Sequence, residues 1–564
     1  MTGSLRRGAS VFALAVVVPA ACSPTDREPA AGQFSAAQPA LRFETLEPAE
    51  TGLDVTMTCG TDPSSQIIEV NGGGLALIDF DRDGDLDLFV ANGATMALPE
   101  QGPGSRLYEN LGAMHFADVT SQAGIDLHRW AMGVAVGDYD GDGRDDLYVT
   151  CYGPNVLLRN EGEGRFTDVT KRAGVGDPRW GTSCAFGDID NDGDLALYVV
   201  NYLQFDAANP PGRSHFKGIE VMAGPHGLPA QHDILYENLG DGTFRDITAA
   251  ANCLPAQPGY GLGVIIIDFD ADGRQDIFVG NDSMTNFLFH NLGEKRFEER
   301  GVLSGIAANI DGGEQATMGI AVADVDANGY PDLFTTNFSS DTNTLHLNLD
   351  GAFFDDRTQQ FGLALISRPF LGWSCGFFDF DLDGDEDLLM FNSHVYPQAT
   401  MDAMDSDYEQ TPLLFEREGK RFARRTEPQI GSFLDERHRD RAAVFGDFDH
   451  DGDIDVIVSE LNGPIRVLRN DHPGGNWLTI ELRDERETSR NHRGLGSRIE
   501  LTYPNGAQRR WIYTGGYQTS IAPYAHFGLP ADVLDVAAVI VWPDGFTQRI
   551  ESLPTKARHV IRRP

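Results

Sequence analysis

Asp79, Asp81, Asp83 and Asp87 occupy positions one, three, five and nine of a short run with Gly84 at position six. Carboxylates at this spacing repel one another, so a bare loop of this kind is costly to fold. A hard cation removes that cost. Calcium takes about 6–8 oxygen ligands at roughly 2.3–2.6 Å, and alternating aspartates supply them from one tight turn. The glycine allows the positive φ such a turn needs. Six further runs follow the same spacing. They hold Asp138, Asp140, Asp142 and Asp146, then Asp188, Asp190 and Asp192, then Asp268, Asp270, Asp272 and Asp276. Asp324, Asp326, Asn328 and Asp332 come next, followed by Asp379, Asp381, Asp383 and Asp387, and by Asp447, Asp449, Asp451 and Asp455. One copy is a weak signal, and seven are a strong one. Magnesium fits less well, because it demands tight octahedral geometry and keeps its waters. Six or seven structural calcium ions are therefore expected. In the third run Ala196 stands at position nine, and in the fifth Asn328 replaces a charged ligand, so both sites are expected to be weaker.

The loops need elements to hold them. They recur about 61 residues apart, a period typical of propellers and solenoids. A short apolar run such as Gly74 to Ile78 leads into each loop, and a second such as Leu86 to Ala91 leads out. A third run ends in Asn110, Asn160, Asn238 or Asn291. A fourth reads Phe116-Ala-Asp-Val-Thr120 or Phe166-Thr-Asp-Val-Thr170. Short, β-branched or aromatic, and bounded by glycine, these read as strands. Four strands per unit and seven units predict an all-β, seven-bladed β-propeller over 41–475. The seventh unit lacks its fourth strand, whereas Arg42-Phe-Glu-Thr-Leu46 resembles one, so residues near 42–46 are expected to close the ring. Closure pairs an edge that would otherwise be exposed.

Of the formal charge of −41, residues 476–564 carry none of the excess: they hold twelve basic and nine acidic residues. No acidic loop occurs there, and alternating runs at Trp477 to Leu482, Arg498 to Tyr503, Arg510 to Tyr513 and Val536 to Val541 predict antiparallel strands in a small β-sandwich. Its basic surface is expected to dock on the acidic propeller. Two insertions, one from Tyr202 to Asp233 and one carrying Asn392 to Pro397 and the acidic segment Met401 to Glu409, are long loops on a rigid ring, where binding function usually lives. At the start of the chain, Arg6 and Arg7 precede an apolar run from Val11 to Val18 and then Cys22. That is the order of an export signal, too short to span a bilayer permanently. Residues 1–22 read as the signal, ending either in lipidation of Cys22 for membrane anchoring or in simple cleavage near it, and 23–40 as a flexible tether. Cys59, Cys151, Cys184, Cys253 and Cys375 are odd in number and form no CxxC, so no structural zinc site is expected. Cys184 and Cys375 take equivalent places in two repeats and read as buried apolar residues.

The loops resemble the FG-GAP or VCBS repeats of integrin α-chain propellers. The tail resembles the ASPIC/UnbV domain, through Asn476-Trp-Leu, Gly494-Leu-Gly-Ser-Arg-Ile499, Gly515-Gly-Tyr517, His526-Phe-Gly-Leu529 and Val541-Trp-Pro-Asp-Gly545. Together they identify the chain as similar to the cartilage-acidic-protein-like family over roughly residues 42–564. The resemblance implies calcium held by side chains at positions one, three, five and nine and by a backbone carbonyl at position seven. It also implies an exported protein, periplasmic, outer-membrane-anchored or extracellular in a bacterium, with an adhesion-type role and no reaction common to the family. Family members often carry a cysteine pair in the long insertion. Ser214, His215 and Ala223 stand in that region here, so no disulfide is expected there.

The function expected is non-enzymatic binding of a protein or glycan partner by a monomer. Nucleic acid is excluded as a partner, because phosphate contacts need a basic face. The alternative is an enzyme or accessory protein acting on a polysaccharide or secondary metabolite at the propeller channel or inserted loops. That reading needs His394 and the run Arg437-His-Arg-Asp-Arg441 to converge at the channel mouth. Gly372-Trp-Ser-Cys-Gly376 matches a nucleophile-elbow pattern, but a strand and an acidic loop follow it where a helix is required. No catalytic or organic-cofactor residue is assigned.

Overall fold

In the first repeat, Leu75–Ile78 runs down to the acidic loop and Asp87–Val90 returns from it. All eight residues are buried, as expected for strands packed on both faces. Arg106–Asn110 and Phe116–Asp118 complete a meander of four antiparallel strands. The computed structural model describes residues 43–504 and 506–564. The expected signal, the tether and Cys22 lie outside them. Among the described residues no helix is long and apolar enough to cross a membrane.

The meander recurs, giving seven sheets of this kind. Their first strands are Leu75–Ile78, Ala131–Gly137, Gly181–Gly187, Gly261–Ile267, Ile320–Ala323, Gly372–Phe378 and Asp440–Gly446. Each touches the next, and the last touches the first, so they line the axis of a closed ring. Crowding there explains the glycines. A Cβ on Gly133 would lie 2.3 Å from the Thr182 carbonyl oxygen. In the seventh sheet the outer strand is Phe43–Leu46, with Phe43 opposite Asn470 and Leu46 opposite Val467. The ring is thus closed by the start of the described chain, at the place the sequence pointed to.

Residues 476–564 form two sheets. One holds Asn476–Arg483 between Tyr524–Leu529 and Ala557–Arg562; the other orders Gly506–Trp511, Arg498–Tyr503, Asp535–Val541 and Thr547–Pro554. Leu478, Ile480, Ile499, Phe527 and Trp542 pack in one cluster with Tyr139, Phe186 and Leu197 of the ring. Two expectations need correction. The strands are not all antiparallel: Ala557–Arg562 runs parallel to Asn476–Arg483, with Leu478 opposite Ala557. The final strand covers the edge of Asn476–Arg483 and itself becomes the outer strand of that sheet.

The other correction concerns the channel. Gly515–Tyr517 leaves the tail and pairs with Gly263, Val264 and Ile265 of the fourth inner strand. Beyond it, Ser520 donates its N–H to the Leu75 carbonyl at 3.1 Å and its carbonyl accepts from Leu77 N–H at 3.0 Å. The Gln518 N–H meets Ser183 Oγ at 2.9 Å. With Val136 N–H donating to Ser520 Oγ at 3.2 Å, one segment touches the inner strands of the first four sheets and occupies the axis. The channel offered by the sequence as a place for chemistry is thus largely occupied by the tail, which leaves a cavity of about 140 Å³ against the inner strands of the fifth to seventh sheets. Gly515 and Gly516 have φ of 115° and 136°, and a Cβ on Gly515 would lie 2.4 Å from the Val264 carbonyl oxygen. Only glycine passes so close to the ring.

Candidate metal centres and the cavity on the opposite face

Each acidic loop is the hairpin between the first and second strands of a sheet, and its ninth residue opens the second strand. The glycine at position six has positive φ in all seven, from 84° to 105°. Position four is left-handed as well, although it holds Arg82, Gly141, Asn191, Ala271, Ala327, Leu382 and His450. Six of those seven are not glycine, so most loops store backbone strain that composition does not betray. The turn is held by its own acids. Position-seven N–H groups donate to the residue at position five, as in Asp85 to Asp83 Oδ1 at 2.9 Å and Tyr330 to Asn328 Oδ1 at 2.9 Å.

The position-nine carboxylate is a clamp as well as a candidate ligand. Asp87 Oδ2 accepts from Phe80 N–H at 3.1 Å and Oδ1 from Asn110 N–H at 2.9 Å. Asp146, Asp276, Asp332, Asp387 and Asp455 make the same pair of bonds. Burial pushes Asp87 up to about 9 and Asp332 to about 8. At position one, burial pushes Asp138, Asp188, Asp268 and Asp447 up to about 7. Carboxylates in this state need either a proton or a cation.

Oxygen atoms of Asp79, Asp81 and Asp87 lie within 4.8 Å of one another, as do those of Asp138, Asp140 and Asp146 and of Asp268, Asp270 and Asp276. Asp188, Asp190 and Asp192 converge similarly. Oδ1 of Asp140, Asp188, Asp324, Asp381 and Asp447 is buried with no hydrogen-bond partner. Buried polar atoms are normally satisfied. An all-oxygen set with orphaned carboxylate atoms fits a hard cation such as calcium.

The sequence did not disclose how the loops are tied to each other. Asn110 Nδ2 donates to the Leu86 carbonyl of its own loop at 3.2 Å and to the Phe448 carbonyl of the preceding loop at 3.0 Å. Asn160 reaches back to Phe80, Asn238 to Tyr139, Asn291 to Ile189, Asn348 to Phe269 and Asn470 to Phe380. In the sixth sheet Arg417 replaces the asparagine and donates to Val325. The stitches run the whole way round the ring. The recurrent asparagine was visible, but its second partner lies one sheet away.

The basic tail covers this loop face. Arg493 bonds Asp145 at 2.5 Å and Glu481 at 2.7 Å and lies 3.5 Å from Asp79. Arg490 meets Asp194 at 2.8 Å, Arg509 meets Asp324 at 3.2 Å, and Arg510 meets Glu386 at 3.0 Å. The docking expected from charge is therefore seen, and it falls on the acidic loops themselves.

Opposite the loops lies a cavity of about 500 Å³. Its floor is Leu262 and Met318, at the starts of inner strands, with Trp373. Its walls come from the hairpin of Arg213–Phe216 and Ile219–Met222, from residues 223–226, and from Phe338 and Tyr396. Both insertions contribute, as their length suggested. Phe216, Phe338 and Tyr396 pack at centroid distances of 5.6–6.1 Å.

Models of the FG-GAP-like repeat match residues 79–149, 138–199, 221–279, 268–335 and 324–390, more than half of the chain. The chain belongs to the FG-GAP repeat family. A model described as ASPIC and UnbV matches residues 487–564. Human cartilage acidic protein 1 is 28% identical over 313 residues, covering 54% of this chain and 43% of that protein. The chain thus spans under half the length of that relative. The Xenopus tropicalis protein of the same name is 27% identical over 502 residues, covering 85% of this chain and 71% of its own length. Among solved structures, an Agrocybe aegerita lectin recognising non-reducing terminal N-acetylglucosamine aligns with a TM-score of 0.36, 16% identity and coverage of 69% and 85%. The rhamnogalacturonan lyase YesX aligns at 0.36, 12% identity and coverage of 71% and 61%. At these TM-scores neither likeness carries an argument.

The remaining candidates of the FG-GAP ring are structural. Arg437 pairs with Asp407 at 2.6 Å, His438 with Glu460 at 3.2 Å, Arg439 with Asp62 at 2.7 Å, and Asp440 with Arg466. Arg441 lies over the Trp373 ring at 4.0 Å and donates to the Val70 carbonyl at 2.5 Å. His394 Nε2 meets Ser339 Oγ at 2.9 Å, and burial pulls its imidazole down to about 3. These groups do not converge on a reaction centre. Ser374 sits inside Gly372–Phe378, its hydroxyl 3.4 Å from the Ala443 carbonyl, and not at a strand-to-helix elbow. The five described cysteines are free and buried, and burial pushes Cys59 and Cys151 up to about 12.

Proposed function

We propose that this protein is an exported, calcium-stabilised, non-enzymatic binding protein that engages a protein or glycan partner, in an adhesion-type role, through the face bearing its insertions. One observation carries the reading. The tail occupies the loop face and the ring axis, leaving the insertion face and its cavity as the surface built for a partner. Calcium would be held by the carboxylates at positions one, three, five and nine, with Asn328 in the fifth loop. All of these lie within single hairpins, away from the cavity, which suits a structural ion. The ions would neutralise the loop acids and stiffen the ring that carries the insertions.

The test uses the chain from residue 43 onward, melted with calcium, with EDTA, and with calcium restored, while bound metal is counted. About six ions per chain and a reversible loss of stability in EDTA are expected. An unchanged melting curve with no bound calcium would sink the metal reading. Glycans and surface proteins are then screened against that chain and against one in which residues 213–222 are replaced by a short Gly-Ser turn. Binding lost in the second protein, with its calcium count intact, is the expected result.

A further inference from the structure

The cavity on the insertion face has a consistent electrostatic sign. The ionisable side chains lining it include Asp282, Glu314 and Asp341, with His215 and His226 at the rim; the nearest cations, Lys217 over the Phe216 ring and Arg441 over the Trp373 ring, do not line it. Asp282 is the inner one. Its Oδ2 accepts from Tyr202 Oη at 2.5 Å and its Oδ1 from Ser283 Oγ at 2.8 Å. No lysine or arginine among the described residues pairs with it. Burial raises its pKa, and the two hydroxyl bonds and the nearby His226 only partly offset this. Yet the residue keeps partial exposure, which it has because it faces the cavity. A carboxylate so enclosed, bonded only to neutral donors, is poised for a positive ligand.

The walls fit the same ligand. Aromatic faces attract cations within about 6 Å of the ring centre, and aromatic cages are the recurrent solution for ammonium groups. Phe216, Phe338 and Tyr396 form one cluster against the cavity, and Tyr202 brings its ring beside Asp282. Trp373 and Phe216 are walls only, because the Arg441 guanidinium and the Lys217 ammonium already cover one face of each, so the cage faces are those of Phe338, Tyr396 and Tyr202. One neutral donor completes the set. Asn71 is buried, lines the cavity, and its Nδ2 has no partner, while its carbonyl is taken by Tyr517 Oη at 2.9 Å. An oxygen on the ligand would satisfy it. A volume of about 500 Å³ lies within the usual range for small-molecule sites, about 300–1,000 Å³.

We infer that this cavity binds an organic ammonium ion bearing a nearby hydroxyl or ether oxygen, with Asp282 as counter-ion, the aromatic cluster as cage and Asn71 as donor to the oxygen. The inference rests on the insertion face being the recognition surface, and it names the chemistry recognised there. Such a group can be a free amino alcohol or the headgroup of a lipid.

The test is calorimetric titration of the calcium-loaded chain from residue 43 onward with choline, ethanolamine and the uncharged carbon isostere of choline. Saturable binding of at least one cation, with the isostere weaker by about tenfold or more, is expected. Phosphatidylcholine vesicles that compete with free choline would make the headgroup the source; vesicles that do not would make it a free amine. D282N should weaken binding about tenfold or more. Because Asp282 is bonded to Tyr202 and Ser283, so that its replacement also disturbs the wall, E314Q and F338L provide a second reading that does not depend on it. Each should weaken cation binding severalfold while leaving the melting temperature and calcium count unchanged. Equal binding of isostere and cations overturns the inference, as does no binding of any probe, or binding that none of the three substitutions alters. Calcium count and partner screening on the same preparation distinguish this failure from failure of the broader function.

Discussion

The first and third acidic loops face the same problem, a cluster of like charges, with different side chains around them. In the first, Asp87 supplies the ninth carboxylate, clamps two backbone N–H groups, and is pushed by burial up to about 9. In the third, Ala196 opens the second strand, buried and paired with Gly187, so the sheet survives without the acid. Its remaining acids meet a built-in charge. Lys295, from the neighbouring sheet, places its ammonium 2.8 Å from Asp190, 3.7 Å from Asp192 and 2.6 Å from Glu237. Burial pulls that ammonium down, but the bonds to Asp190 and Glu237 raise it further. A loop of alternating aspartates needs positive charge, and here a side chain supplies some of what an ion would supply elsewhere. The third loop, which alone lacks the ninth acid, is thus the internal control for the first.

The largest expected effect is metal removal. At a hundredfold excess over its dissociation constant, each ion stabilises by about 2.7 kcal/mol, so stripping several should lower the melting temperature strongly. Calorimetry with and without EDTA measures this. Next comes the ninth carboxylate. D87A leaves two buried N–H groups unpaired and removes a ligand, so a loss of about 2–4 kcal/mol and one fewer ion are expected. D190N in the third loop should leave the ion count unchanged. An equal drop in both counts would erase the distinction between the loops.

A pH series sharpens the contrast. In metal-free protein Asp87 and Asp332 have folded pKa values raised above the ordinary carboxylate range. The folded state then binds more protons than the unfolded one, so stability falls as pH rises from about 4 toward 9. Calcium competes with those protons, so the stabilisation it adds should grow over the same interval. Denaturant titrations at several pH values, with and without calcium, follow both trends. The smallest effect is expected at Lys295. K295M should destabilise the metal-free chain by about 1 kcal/mol, since the ion pair is partly exposed and screened. Combined with A196D it should raise the ion count by one, read by metal analysis. A count that stays level in the double variant would mean that the lysine is not what separates the loops.

Much of this was legible in local sequence. The spacing of Asp79, Asp81, Asp83 and Asp87 located the hairpin, and Phe43 announced a strand displaced to the other end of the chain. Such features depend on neighbours within one turn or strand. The left-handed Arg82 and Leu382 were not legible, because their side chains give no sign of positive φ. The reach of Asn110 to Phe448 and the fit of Arg493 between Asp145 and Glu481 were hidden too, since their partners lie far along the chain. The closure of the axis by Gly515–Tyr517 escaped for another reason. Two adjacent glycines read as a turn until a neighbouring backbone demands the space.

By itself, then, the sequence determined the repeating strands, the acidic hairpins and the charge contrast between ring and tail, all of which are encoded in periodicity and short spacing. Tertiary structure alone decided that the tail covers the loops and occupies the axis, and that Asp282 meets Tyr202, Phe338 and Tyr396 around one cavity. The physical reason is that those contacts join residues whose proximity exists only after the ring has closed.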